Sequence, residues 1–263
     1  MTDHILLGTD SRGIATVTLN RAEKHNAFDE HLIAGLSAAF SKLGQDAGLR
    51  AVVLRAAGKN FCAGADIDWM KRAAGYGKAE NLRDAEALAG MLGLLDTLPV
   101  PVIARVQGTA LGGGCGLISC CDVVIAATDS TFAFSEVRLG LIPATISPYV
   151  LRAIGPRAAR RWMLTGERFG SRTALESGLI HEAVDEAGLD AAVETLLEAI
   201  LKCGPAAARA AKQLVRDVHH QPLGDELTDQ TCRWIAEIRA SPEAREGLAA
   251  FLEKRAPAWR RKD

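Results

Sequence analysis

Through the first two-thirds of the chain, short apolar runs with a two-residue period take turns with longer runs whose apolar residues recur at helical spacing. That alternation excludes a plain bundle and a plain sandwich and predicts an α/β fold. Ile14-Ala15-Thr16-Val17-Thr18-Leu19 alternates and reads as a strand. Residues 27–43 place Leu32, Leu36, Ala39, Phe40 and Leu43 on one helical face. A second strand is predicted over 51–55, followed by a glycine-containing loop, 58–64. A helix over 80–98 carries Leu88, Met91, Leu92 and Leu95 and stops at Pro99. Further strands are predicted over 100–106, 122–127 and 131–136. Between the first two, Gly112-Gly113-Gly114 leads into an apolar helix of about two turns. The units read as strand–strand–helix, repeated.

The last third changes character. Pro156, Pro205 and Pro242 each stand where a helix would begin, and Ser241 is placed to cap the last of these. Beyond about residue 186 no strand pattern recurs. The expected organisation is therefore a core over 1–187 and a helical segment over 188–263. The Ala- and Leu-rich faces of that segment predict packing onto neighbouring subunits.

Charge and cysteine usage narrow the partners. A formal net charge of −1 supplies no general attraction for nucleic acid or an anionic membrane. The tail Trp259-Arg260-Arg261-Lys262 is either a local basic patch or a solvated terminus. The start lacks the basic-then-apolar pattern of a secretory leader, and no apolar run suits a bilayer, so a cytoplasmic or similarly reducing compartment is expected. Six cysteines show no Cys-x-x-Cys spacing and no histidine at ligand spacing, so neither a metal site nor disulfides are expected. Cys120-Cys121 reads as a pair of small hydrophobes.

Three segments carry the candidate chemistry. In Gly108-Thr109-Ala110-Leu111-Gly112-Gly113-Gly114-Cys115-Gly116, a glycine run meets a helix start, where unpaired N–H groups and the helix dipole suit a developing oxyanion. Close packing or a tight turn would use the same residues. It is neither a G-x-G-x-x-G dinucleotide loop nor a Walker A loop. In Lys59-Asn60-Phe61-Cys62-Ala63-Gly64-Ala65-Asp66-Ile67, small side chains let a ligand lie against the backbone; alternatively, Asp66 simply caps a helix. In Phe132-Ala133-Phe134-Ser135-Glu136-Val137, a continuing strand would put Glu136 on the face of Phe132 and Phe134. Desolvation there would raise the carboxyl pKa and suit a group that both accepts and donates a proton. If the strand ends at Ser135, Glu136 turns toward water instead.

Taken together, Ala63-Gly64-Ala65-Asp66-Ile67, the triple glycine running to Cys121-Asp122, and Ser135-Glu136-Val137 through Leu141-Ile142-Pro143 resemble the crotonase superfamily of enoyl-CoA hydratases and isomerases. The resemblance runs from Asn20-Arg21 to Phe251-Leu252-Glu253-Lys254-Arg255. It implies a spiral of ββα units with a helical C-terminal part that builds homotrimers, commonly paired into homohexamers. It also implies that the N–H groups of Ala65 and Gly113 form an oxyanion hole for a thioester carbonyl and that Glu136 is the catalytic glutamate. By the same resemblance Lys24, His25, Ala27, Ala63, Asp66 and Ile67 lie along coenzyme A, and Lys254 reaches its phosphate. The partner is then an acyl-CoA substrate, with no further cofactor and no metal.

Two departures stand out. Typical hydratases carry a second glutamate two residues beyond the triple glycine, where this chain has Gly116. After Pro143, many relatives continue Gly-x-Gly-Gly-Thr-Gln, where this chain has Ala144-Thr145-Ile146-Ser147-Pro148-Tyr149. These stretches look like the bacterial methylglutaconyl-CoA hydratases and the nearby isohexenylglutaconyl-CoA hydratases, whose substrates bear a remote carboxylate. Arg72, Arg138 and Arg152 are candidate partners for it by type. The expected activity is hydration of a 2-enoyl-CoA. The alternatives are an enoyl-CoA isomerase working with one glutamate, or a non-catalytic module that binds CoA or RNA.

Overall fold

The computed structural model describes residues 4–260. Met1-Thr2-Asp3, and Arg261 and Lys262 of the basic tail, lie outside the described residues. Backbone packing divides the chain into two units: Met1–Leu98 with Val102–Glu194, and Pro99–Pro101 with Thr195–Asp263. The division falls inside a helix.

In the first unit the order is β1 (Ile5–Thr9), β2 (Ile14–Leu19), α1 (Glu30–Gly44), β3 (Ala51–Ala56), α2 (Ile67–Ala73) and α3 (Lys78–Asp96). There follow β4 (Val102–Val106), β5 (Thr109–Leu111), α4 (Gly113–Ser119), β6 (Val123–Ala127) and β7 (Thr131–Ala133). The unit continues with α5 (Ser147–Thr165), β8 (Phe169–Gly170), α6 (Ser171–Ser177), β9 (Glu182–Val184) and the start of α7 (Leu189–Lys202). Six strands form one sheet in the order β1-β2-β3-β4-β6-β9, with only β1 antiparallel to its neighbour. Every residue of the central β4 is buried, and all but Arg105 are apolar, so this strand does not read as an alternation. A second, three-stranded sheet has the order β5-β7-β8.

Local chemistry places the boundaries. Asp29 caps α1, its carboxylate accepting from the N–H of Leu32 at 2.8 Å, so the helix starts at Glu30 and not at 27. Phe28 is held out of it by pairing with the 63–66 loop, and Ala27 by its N–H bond to the Lys24 carbonyl and its carbonyl's bond to Arg21. The apolar face of α1 is the expected one, with Leu32, Leu36, Ala39, Phe40 and Leu43 buried. Pro156 sits within α5 directly after Gly155, whose φ of 69° and ψ of 165° break the helix into two pieces; Pro156 opens the second. The strand expected over 131–136 ends at Ala133. Turn bonds from Arg138 N–H to Ser135 and from Gly140 N–H to Val137 replace the ladder beyond it.

The second unit holds the rest of α7, then α8 (Pro205–Val218), α9 (Asp225–Ala240) and α10 (Pro242–Leu252). Pro205 and Pro242 each open a helix, and Ser241 Oγ accepts from the N–H of Ala244 at 3.1 Å. Trp259 packs its ring toward Gly247 and donates Nε1–H to the Lys202 carbonyl, which ties the described part of the tail down. No described helix is long and apolar enough to cross a membrane.

Candidate active site

Three short extended segments run parallel, side by side. Cys62 bridges Ala110 of β5, and Ala110 pairs with Phe132 of β7. Their carboxyl ends therefore release three loops at one place: Ala63-Gly64-Ala65, Gly112-Gly113, and Ser135-Glu136. Sites outside the carboxyl ends of parallel strands are a general outcome of this geometry. The register is held by Cys62 N–H to the Thr109 carbonyl (3.0 Å), Leu111 N–H to Cys62 (2.9 Å) and Gly112 N–H to Ala133 (2.8 Å). Gly112 has φ 47° and ψ −113°, a backbone state that a side chain would strain, and it turns the chain from β5 into α4.

A fourth segment completes the frame. Phe28 N–H donates to the Gly64 carbonyl (2.7 Å), and Asp66 N–H donates to the Phe28 carbonyl (2.8 Å). That parallel bridge turns the N–H of Ala65 away from Phe28. The Phe28 ring meanwhile lies against Gly113, where an added Cβ would meet it at 2.8 Å. One buried residue thus joins both loops, the first through its backbone and the second through its ring. Arg21, nearly buried, pairs with Asp29 at 3.0 Å and with Asp66 at 3.1 Å, and gives a further bond to the Ala27 carbonyl. Asp66 also caps α2 by accepting from Asp68 and Trp69 N–H. Burial works to raise its pKa, but those N–H bonds and the Arg21 charge prevail and hold it below the usual range.

Among the described residues, neither the Ala65 N–H nor the Gly113 N–H donates to a protein acceptor. Both residues line a cavity of about 400 Å³, together with Glu136. Glu136 does not share a strand face with Phe132 and Phe134, contrary to the sequence expectation. It opens a tight 3-10 turn, Glu136–Leu139, while Phe132 and Phe134 pack near Phe169 with ring centroids 5.8 and 6.1 Å away. Its carboxyl stands close over Gly112, where a Cβ would meet Oε1 at 2.9 Å. Burial pushes its pKa up, against the opposing pull of its own N–H, and Oε2 is buried with no hydrogen-bond partner among the described residues. Among the described residues it is the one ionisable side chain lining this cavity.

A family model described as enoyl-CoA hydratase/isomerase matches residues 9–262. The chain belongs to the enoyl-CoA hydratase/isomerase family. A crystal structure of an enoyl-CoA hydratase from Shewanella pealeana is 43% identical with a TM-score of 0.94, covering 97% of this chain and 96% of that one. Enoyl-CoA hydratase AKT6-1 of Alternaria alternata is 33% identical over 92% of this chain and 80% of its own length. An (E)-benzylidenesuccinyl-CoA hydratase of Thauera aromatica is 31% identical over 95% and 96%. The α/β core and the helical C-terminal region are thus those of the crotonase fold.

The other residues marked from the hydratase/isomerase resemblance fall in two places. Lys24, His25 and Ala27 lie beside the Ala63–Ile67 loop: Ala63 N–H donates to the His25 carbonyl (3.0 Å), and Lys24 Nζ lies 2.9 Å from an Asp68 carboxylate oxygen. Ala63 and Ile67 line the cavity. Lys254 follows α10 in the second unit with a left-handed φ of 54°. None of Arg72, Arg138 and Arg152 lines the cavity; Arg72 pairs with Glu30 and Arg152 with Asp96. Sequence reasoning missed Phe28, Arg21, Asn26 and Ile146. Asn26 is fully buried at φ 54°, its side chain bonding the Ala57 and Asn60 carbonyls, and Asn is among the few residues that adopt that backbone state readily.

Proposed function

We propose that the protein hydrates a 2-enoyl-CoA thioester through an enolate held by the N–H groups of Ala65 and Gly113. One observation carries this reading: two N–H donors from separate loops, uncommitted among the described residues, share a small cavity with a carboxyl whose Oε2 is buried without a partner among those residues. In the proposed reaction Glu136, ionised, takes a proton from water as its oxygen adds to C3. The C2–C3 π electrons move to the thioester oxygen, where the two donors stabilise the negative charge. Glu136 then returns the proton to C2; its raised pKa makes it the stronger base in the first step, when it takes the proton from water. Losing one such donor typically costs about a hundredfold to a thousandfold in rate. The CoA moiety would follow Lys24, His25, Ala27, Ala63, Asp66 and Ile67, with Lys254 serving a phosphate, and the working assembly would be a homotrimer or homohexamer.

The acyl group we favour is branched, of the 3-methylglutaconyl kind. Its support is the likeness to a hydratase whose name specifies a succinyl-derived acyl group. Ser135 and Thr145 are the hydroxyl side chains at the cavity wall available to a remote carboxylate.

A second reading, isomerisation of a 3-enoyl-CoA, is favoured by Glu136 being, among the described residues, the lone ionisable group lining the cavity, since one base suffices to carry a proton from C4 to C2. Incubation with 3-methylglutaconyl-CoA and, separately, with a 3-enoyl-CoA distinguishes the two. Hydration removes the conjugated thioester absorbance; isomerisation creates it. In either case Glu136→Gln should lower kcat by at least about a hundredfold while acyl-CoA affinity stays within a few-fold. Turnover retained in that variant removes Glu136 from the role.

A further inference from the structure

We infer that Ile146 is a specificity-determining residue, forming the floor of the cavity and setting how much acyl group the site admits. The inference builds on the enoyl thioester reading. Gly116 lies one turn along α4 from Gly113 and is buried. A Cβ added there would stand 2.2 Å from Cγ2 of Ile146 and 2.9 Å from its Cβ. The isoleucine therefore occupies the space that any side chain at 116 would need. Ile146 is only 2% exposed, yet it lines the cavity. By contrast, Ile67, Leu139 and Ile142, which line the same cavity, are 66%, 63% and 73% exposed and form its rim.

A thioester carbonyl held at the start of α4 must send its CoA arm out past the rim, so the acyl carbons run inward to the floor. Ile146 is fixed there. A β-branched side chain has little freedom at χ1, and its carbonyl accepts bonds from Val150 (3.1 Å) and Tyr149 (3.2 Å) where α5 begins. A rigid apolar floor discriminates by size, and one misfitted methylene changes relative rates by roughly 10- to 200-fold.

The test is a series of acyl-CoAs graded in chain length and C3 branching. Saturated members are measured for affinity by calorimetry and 2-enoyl members for turnover. Ile146→Ala should move the preferred acyl group up by one or two carbons, with a gain of about tenfold for the longer ligands. Ile146→Val should shift the order in the same direction by less, and it supplies the answer should the alanine variant not fold. An unchanged order of affinities in folded Ile146→Ala or Ile146→Val would overturn the inference. If the wild type turned over no enoyl-CoA, the enoyl reading would fall, and the affinity series would still decide the role of Ile146.

Discussion

Glu136 shows what one residue can and cannot disclose before folding. Its type and its phenylalanine neighbours pointed to a desolvated carboxyl, and its pKa is indeed pushed up. The cause differs: a tight turn over Gly112 buries it, and two-residue periodicity had no means of signalling that the strand stops at Ala133. His181 carries a second perturbed titration. Its Nδ1 accepts from the Val124 N–H at 3.0 Å, and burial holds its pKa below the ordinary 6.5. The unfolded chain thus binds a proton that the folded chain resists, so this group's stabilisation is present above about pH 6.5 and is lost as pH falls toward the folded value. Glu136 has the opposite sign, because its folded pKa is raised. Thermal melts of wild type and His181→Asn from pH 7.5 to 5 should separate them. The wild type should lose more stability across that interval than the variant, whose side chain keeps an acceptor but does not titrate. Equal losses would remove His181 from the account.

Among elements, the site owes its assembly to strands mostly too short to announce themselves. β5 has three residues, β8 has two, and the bridge at Cys62 is a single pair, so none of these sustains a recognisable period; β7 alone fell inside a predicted strand, 131–136, and stops halfway along it. The longer elements were legible because their buried faces repeat: α1, α3 and the β2, β3 and β4 strands fall close to where periodicity put them. The triple glycine marked the start of α4, and Asp66 the start of α2. What stayed hidden was the lateral alignment, which depends on pairing between segments distant in sequence. Phe28 joins the two loops, pairing its backbone with one and resting its ring against Gly113 of the other. Phe28→Ala should lower kcat by roughly tenfold to a hundredfold with KM changed by no more than about threefold, and Phe28→Leu should recover most of the loss. A matching melt is needed, since emptying a buried phenylalanine site costs about 3–5 kcal/mol. If kcat holds in a folded Phe28→Ala protein, the two loops are aligned by something else.

For the molecule as a whole, the α/β class and the strand-free helical end were readable because composition and period change together near the last third. The position of the unit boundary inside α7 was not, since a helix crossing between units looks like any other. In the second unit α8 and α9 flank an apolar groove of about 640 Å³, lined by Ala210, Ala211, Leu214, Trp234, Ile235 and Ile238 among others. An exposed apolar surface of this kind fits the expected self-association. Light scattering after dilution to about micromolar concentration should return three or six times the 27.9 kDa chain mass. A persistent 27.9 kDa species would rule that assembly out.

The contact between positions 116 and 146 also restricts the paths by which such a chain can diverge. A residue larger than glycine at 116 has nowhere to go until 146 has first become smaller, whereas 146 can shrink while 116 is still glycine. The two changes therefore have an obligatory order, and a lineage that reversed it would pass through a protein with a collided core.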